Sequence, residues 1–198
     1  MVATVSQTAR RLLAGSLLTA SAATSLMIAA PGASARTRPC ANARVAIAHS
    51  TPAKLRRAVV CLINRQRTER GLPKLIASRK LDRSAQRWTN SMVGGDDFSH
   101  DAAFMDRISA VGFNWENVAE NIATGSPTPA AVVHAWMRSP GHCANILNPI
   151  YREVGTGVDN GLIRGNSTIA GTWTQDFGRL MGQRALSGNF GPADGCYR

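Results

Sequence analysis

The strongest constraint on the fold of this chain is where its cysteines fall. Cys40, Cys61, Cys143 and Cys196 are the only four, and none precedes residue 40. The residues before them have a different character. Arg10 and Arg11 lead into the uncharged run "LLAGSLLTASAATSLMIAA", residues 12–30, and "ASA" at 33–35 offers a small-x-small cleavage signal. That layout is a secretory signal peptide, so residues 1–35 are expected to be removed on export. The run is too rich in Ala, Ser and Thr to make a strong membrane span, and no other segment is long enough to cross a bilayer. In an exported chain, four cysteines imply two disulfides with three possible connectivities. No pair has the C-x-x-C spacing of a zinc ribbon or a redox site.

Residues 36–198 suit one domain with a sizeable core. Within it, 36–50 is poor in large apolar groups and reads as a lead-in segment, followed by a single domain over 51–198. The formal charge is +11 for the whole chain, and removing the leader's two arginines leaves +9. Such a surface can attract an anionic cell-wall polymer, lipid head groups or nucleic acid. Nucleic acid is disfavoured, because no basic run alternates with aromatics. "KLRR" (54–57) and "RQRTER" (65–70) are expected on the wet side of a helix.

Hydrophobic periodicity supplies the elements. "STPAKLRRAVVCLINRQRTERGL" has Leu55, Val59, Leu62 and Ile63 on one helical stripe, with Pro52 suited to the first turn and Gly71 to the stop. Cys61 lies near the edge of that stripe, within reach of the lead-in segment. A second helix is expected from about Arg79 to Val93, with Leu81, Ala85, Trp88 and Met92 facing inward and Gly94-Gly95 ending it. A third covers about Ala102 to Val111. A fourth starts at "SPTPAAVVHAWM", with Val132, Val133, Trp136 and Met137 inward and Pro140-Gly141 breaking it. "EVGTGVDN" and "STIAGTWTQDF" read as strands, and Asn160-Gly161 as a hairpin turn. Helices first and strands later predict an α+β fold. Trp88, Trp136 and Trp173 are all expected in the core.

Three stretches carry residues fit for chemistry: "FSHD" with His100, "ENVAENIA" with Glu116 and Glu120, and "SPGHCANIL" with His142. All three are expected at element ends or in short turns, where a scaffold can aim them into one cleft. Two imidazoles and a carboxylate could hold zinc with an open position, or act as a general acid/base set. Gaps of 20 and 22 residues match no local ligand motif, so hydrogen bonding to loop backbone is the plainer role. Ser99 beside His100 raises a serine-type hydrolase, but no G-x-S-x-G elbow surrounds it. His49, before the first helix, and His134, on the solvent side of the fourth, have bland readings.

From about Arg57 to Gly178 the sequence resembles the CAP superfamily of cysteine-rich secretory proteins, antigen 5 and pathogenesis-related 1 proteins, in its short bacterial secreted branch. The pieces, in order, are "LINRQRTERGLPKL", "FSHD", "AENIATG", "AWMRSPGHCANILNP", "EVGTGV" and "WTQDFG". The resemblance implies an α-β-α sandwich with a small antiparallel sheet between helical layers. It implies a cleft of two histidines and two glutamates that in some members binds a divalent metal. The positions that match are His100, Glu120 and His142, tentative ligands for a weakly bound cation such as zinc. The second glutamate is missing: three residues after Trp136 stands Ser139. Asn121 and Asn145 are expected as hydrogen-bonding neighbours in the cleft.

The expected disulfides are Cys40–Cys61, pinning the lead-in segment to the first helix, and Cys143–Cys196, fastening the C-terminal tail beside His142. The functional expectation is a monomeric extracellular binding module for a small lipid or peptide ligand, more a binder than an enzyme. A metal-assisted or serine-type hydrolase using the same cleft is the alternative.

Overall fold

Helix α1 (Pro52–Thr68) begins where the sequence places it, with Pro52 at its first position. Leu55, Val59 and Ile63 are fully buried, while Leu62 stands at the edge of the stripe. The computed structural model describes residues 38–186 and Cys196, and residues 38–198 form one compact unit. The expected signal peptide lies outside the described residues. α2 (Arg79–Gly95) and α3 (Phe104–Ala110) follow, then α4 (Pro129–Arg138) and α5 (Pro140–Leu147). The strands are β1 (Ile76–Ala77), β2 (Trp115–Ala123), β3 (Glu153–Asp159) and β4 (Thr172–Leu180).

The sheet runs β1-β3-β4-β2. β4 pairs antiparallel with both β2 and β3, but the two-residue β1 pairs parallel with β3. The sheet is therefore mixed, not wholly antiparallel as expected. One face packs against α1, α4 and α5, with Trp136, Trp173, Phe177 and Val154 in that core. The other face packs against α2 and α3, through Leu81, Ile108 and Phe113 and through Met92 and Ile122. The "EVGTGV" motif explains how close α2 comes. A Cβ at Gly155 would collide with the backbone of Leu81 and Asp82, and one at Gly157 with the backbone of Ala85. The two glycines let the helix lie directly on β3.

Several local expectations are corrected. "ENVAENIA" is not a turn but most of β2. Its polar residues on both faces hide the strand alternation that a half-buried strand would show. Pro140-Gly141 does break α4, which ends at Arg138, but a further helix not expected from the sequence starts there: Pro140 opens α5, where proline's missing N–H costs nothing. The link between β3 and β4 runs over residues 160–171, longer than a two-residue hairpin. Arg67, expected on the wet side of α1, is fully buried. Its guanidinium donates to the carbonyls of Pro73 (2.8 Å), Ile146 (2.7 Å) and Asn148 (2.9 Å), tying α1 to the end of α5. Burial, aided by Arg152, lowers its pKa to about 10.

The lead-in segment lies against the start of α4: Ile47 N–H donates to Pro127 O, and Ala130 N–H to Ala43 O. Disulfides join Cys40 to Cys61 and Cys143 to Cys196. Trp136 and Trp173 are core residues, but Trp88 is only half-buried and carries the Arg107 guanidinium over its ring at 5.4 Å.

Candidate functional site

β2 is an edge strand, and the candidate site residues gather around that edge. Side chains alternate along it, so Glu120 and Asn121 point to opposite faces. Asn121 faces α5 and is fully buried. Its Nδ2 donates to His142 O (3.1 Å) and Gln175 Oε1 (3.3 Å). Asn145, one turn further along α5, donates to Asn121 Oδ1 (2.9 Å) and Glu120 O (3.3 Å). The two asparagines thus stitch α5 to β2 and set the position of His142. They are supports, and Asn121 offers no surface to a ligand.

Glu120 lies on the other face, and its side chain is 3% exposed. His100, in the loop after α2, meets its Oε1 through Nδ1 at 2.8 Å. The other oxygen, Oε2, accepts from Arg107 Nη2 at 2.6 Å. Arg107 was not singled out by sequence. It projects from α3 and also pairs with Asp101 through Nη1 and with Asp176 Oδ1 at 3.2 Å, while its Nε donates to Ser84 Oγ at 3.2 Å. Asp176 is the β4 residue in register with Glu120, which is why the two carboxylates meet the same guanidinium. Desolvation raises the Asp176 pKa to about 7, with Arg107 and Ser84 opposing and Glu120 adding to the rise. For Arg107, desolvation lowers the pKa, but the three carboxylates outweigh it and the net shift is upward.

His100 is the exposed end of this network, its side chain 59% accessible. With Nδ1 facing Glu120, its Nε2 is the nitrogen turned away from the carboxylate. His142, half-buried in the first turn of α5, has its pKa lowered, first by desolvation and then by the neighbouring His100. The arrangement brings two imidazoles near one another, one of them oriented by a carboxylate. Glu116 is not part of it; its carboxylate pairs with Arg179 Nη2 at 2.7 Å. Glu153 sits on β3, two strands away.

The family model for the cysteine-rich secretory protein family, CAP, matches residues 60–177. This chain belongs to the CAP family. An uncharacterized protein of Bacillus subtilis, YkwD, is 35% identical over 135 residues, 66% of this chain and 49% of YkwD. This CAP chain thus spans about half the length of that relative. An extracellular protein containing a SCP domain from Bacillus anthracis superposes with a TM-score of 0.56 at 26% identity, over 66% of this chain and 44% of the other. An outer surface protein of Borrelia burgdorferi shares the fold, with a TM-score of 0.54 at 20% identity, over 62% of this chain and 90% of that one.

Measured against this CAP site, a resident metal does not fit. Both Glu120 oxygens are engaged, one by a guanidinium that already supplies a cation. Ser139 stands at the junction of α4 and α5 and brings no charge. Among the described residues, no three His, Cys, Asp or Glu side chains are placed to hold an ion together. A Ser-His-Glu set fares no better, since Ser99 Oγ donates to Asp97 Oδ2 at 2.8 Å. Its neighbour His100 points instead to Glu120. Among the described residues no helix is long and apolar enough to cross a membrane.

Proposed function

We propose that this CAP domain is an exported, metal-independent binding module whose cleft, between His100 and His142, takes a small lipid or peptide ligand. Export is supported by the leader pattern of residues 1–35, by two disulfides, and by relatives described as extracellular and outer-surface proteins. The single observation that carries the cleft reading is the Asp101–Arg107–Glu120–His100 chain with Asp176 behind it. It fixes one imidazole at an exposed position while every charge behind it is partnered. In the neutral tautomer that donates Nδ1–H to Glu120, His100 Nε2 carries a lone pair. It accepts from a ligand N–H or O–H. His142, kept neutral by burial, adds a second polar contact without repelling the first.

The same His–carboxylate pairing orients general bases in hydrolases. The two nucleophile candidates beside the histidines in sequence are engaged elsewhere: Ser99 is turned to Asp97 and Cys143 is in a disulfide. Native mass spectrometry of the processed protein against lipid and peptide panels, with and without chelator, tests the reading. Retention of ligand under chelator and its loss in His142→Ala are expected. Turnover of peptide, ester or peptidoglycan substrates that disappears in His142→Ala would replace the binding module with a hydrolase.

A further inference from the structure

At the opposite edge of the sheet, residues of α1, β1 and α2 line a groove of about 770 Å³. Four arginines line it. Arg56 and Arg57 come from the first turns of α1, and Arg79 and Arg83 from the first turns of α2, so both walls carry two. Arg57, Arg79 and Arg83 are exposed and Arg56 is half-buried. Only one acid lines the groove, Asp82, and its Oδ1 is taken by Thr156 N–H at 2.9 Å. Among the described residues neither Arg57 nor Arg79 has an ion-pair partner. Arg56 donates Nη2 to Gln86 Oε1 at 2.7 Å, yet its Nε is buried without an acceptor.

Like charges on facing walls repel, and the usual remedy of interspersed carboxylates is missing here. Some arginines elsewhere are matched with acids: Arg107 with three, Arg164 with Asp96, Arg179 with Glu116. In the groove four arginines gather on one concave surface that a chain-like ligand could thread. Ala53, Val60 and Ala77 add only small side chains, and the Cys40–Cys61 bridge stiffens one wall. No aromatic residue lines the groove, so nothing there would stack a base.

We propose that this groove is a second binding site, for a linear phosphate-bearing polyanion without bases, such as an anionic envelope polymer. Guanidinium forks on both walls bind phosphate oxygens in pairs along the chain, which a single exposed lysine would not do. The strongly basic surface, +9 once the leader's two arginines are removed, draws the polymer in, and the groove fixes it. The site is independent of the His100–His142 cleft and lies at the other edge of the sheet.

The test uses the processed full chain and inorganic polyphosphate of defined length, by titration calorimetry from low salt to about 150 mM. Saturable binding is expected, with log affinity falling against log salt at a slope of about −3 for four arginines. The double variant Arg57→Glu/Arg79→Glu should weaken it by about tenfold or more, because it removes one fork from each wall and reverses its charge. A control of equal charge change away from the groove, Arg138→Glu at the end of α4 with Arg164→Glu in the β3–β4 link, should change it by less than about twofold beyond low salt. Equal losses in the two double variants would mean net charge alone and would overturn the site. So would an absence of saturation, or binding to anionic lipid vesicles with none to polyphosphate. His142→Ala should bind polyphosphate normally, which separates failure of the cleft from failure of the groove.

Discussion

At the β2 edge one guanidinium, Arg107, is shared among Asp101, Glu120 and Asp176; at the β1 edge four guanidinium groups face a single acid, Asp82, which also accepts from Thr156 N–H. The same sheet separates them, and the same residue type dominates both. Burial makes the difference. The Arg107 side chain is 9% exposed, so its desolvation has to be met by carboxylates inside the protein. Arg57 and Arg79 keep water as their partner and remain available to a ligand. One edge is a finished network that orients a histidine, and the other is a half-built one.

The largest effect expected from this contrast is on stability. Arg107→Met should cost about 3–5 kcal/mol, because three acids are left in a buried site without their cation. Arg79→Met should change stability by no more than about 0.5 kcal/mol. Urea unfolding of the two variants decides it, and similar losses would remove the distinction between the edges.

The disulfides come next, one at each region: Cys61 lines the groove and Cys143 adjoins His142. Each should contribute about 2–4 kcal/mol, with the Cys143–Cys196 link somewhat the larger because it closes 53 residues against 21. Serine pairs at Cys143 and Cys196 should also loosen cleft ligands while leaving polyphosphate binding intact. Thermal unfolding and the two binding titrations, run side by side, would show the reverse pattern if the bridges were assigned to the wrong regions.

Much of this was readable in the sequence where burial is apolar and one-sided. The stripes Leu55–Val59–Ile63 and Val132–Val133–Trp136 announce α1 and α4 because each helix has one oily face. The parts that escaped are those built from polar residues in buried places. β2 carries Glu120 on one face and Asn121 on the other, so no apolar alternation marks it. α5 is eight residues long and opens with Pro-Gly, which punctuates as a break. Arg67 and Arg107 sit in helices where a charge ordinarily means solvent, and only the tertiary arrangement supplies their carbonyls and carboxylates. His100 and His142 stand out by residue type and placement, while Glu120 is preferred over Glu116 only through the motif order of the resemblance. What they do to one another depends on Arg107, for which no local pattern in a single sequence gives a signal.

A smaller, pH-dependent effect sharpens the account of the β2 edge. Asp176 has its folded pKa raised from 3.8 to about 7. The native state therefore holds a proton that the unfolded chain releases between those values. Its contribution to stability is fully present below about pH 4 and is lost as pH rises through about 7. Asp176→Asn should remove this component, by at most about 1.4 kcal/mol per pH unit. The difference between wild type and variant, followed by denaturation from pH 4 to 8, isolates it from the other acids. A variant that tracks wild type in parallel across that range would mean that Asp176 stays ionised against Arg107 throughout.

The smallest expected effect is that of metal. Since Arg107 already satisfies Glu120, adding chelator should shift stability by less than about 0.5 kcal/mol, far from the roughly 10 kcal/mol of a structural zinc site. Ser139→Glu returns an acid to the position where the resemblance expects one. It leaves Arg107 in place, so zinc affinity should rise little, and only where His100 and His142 are both neutral. Lowering the pH should then abolish whatever binding exists, because a protonated imidazole has no lone pair for a metal. Combining Ser139→Glu with Arg107→Met frees Glu120 and should strengthen zinc binding well beyond either change alone, if the double variant remains folded by circular dichroism. Calorimetry with zinc at pH 5.5 and 7.5 reads all four proteins. Tight binding by the unaltered chain, insensitive to Arg107, would show that the guanidinium does not stand in the way of the metal. The β2 edge would then be as open to a ligand cation as the β1 edge is to an anion.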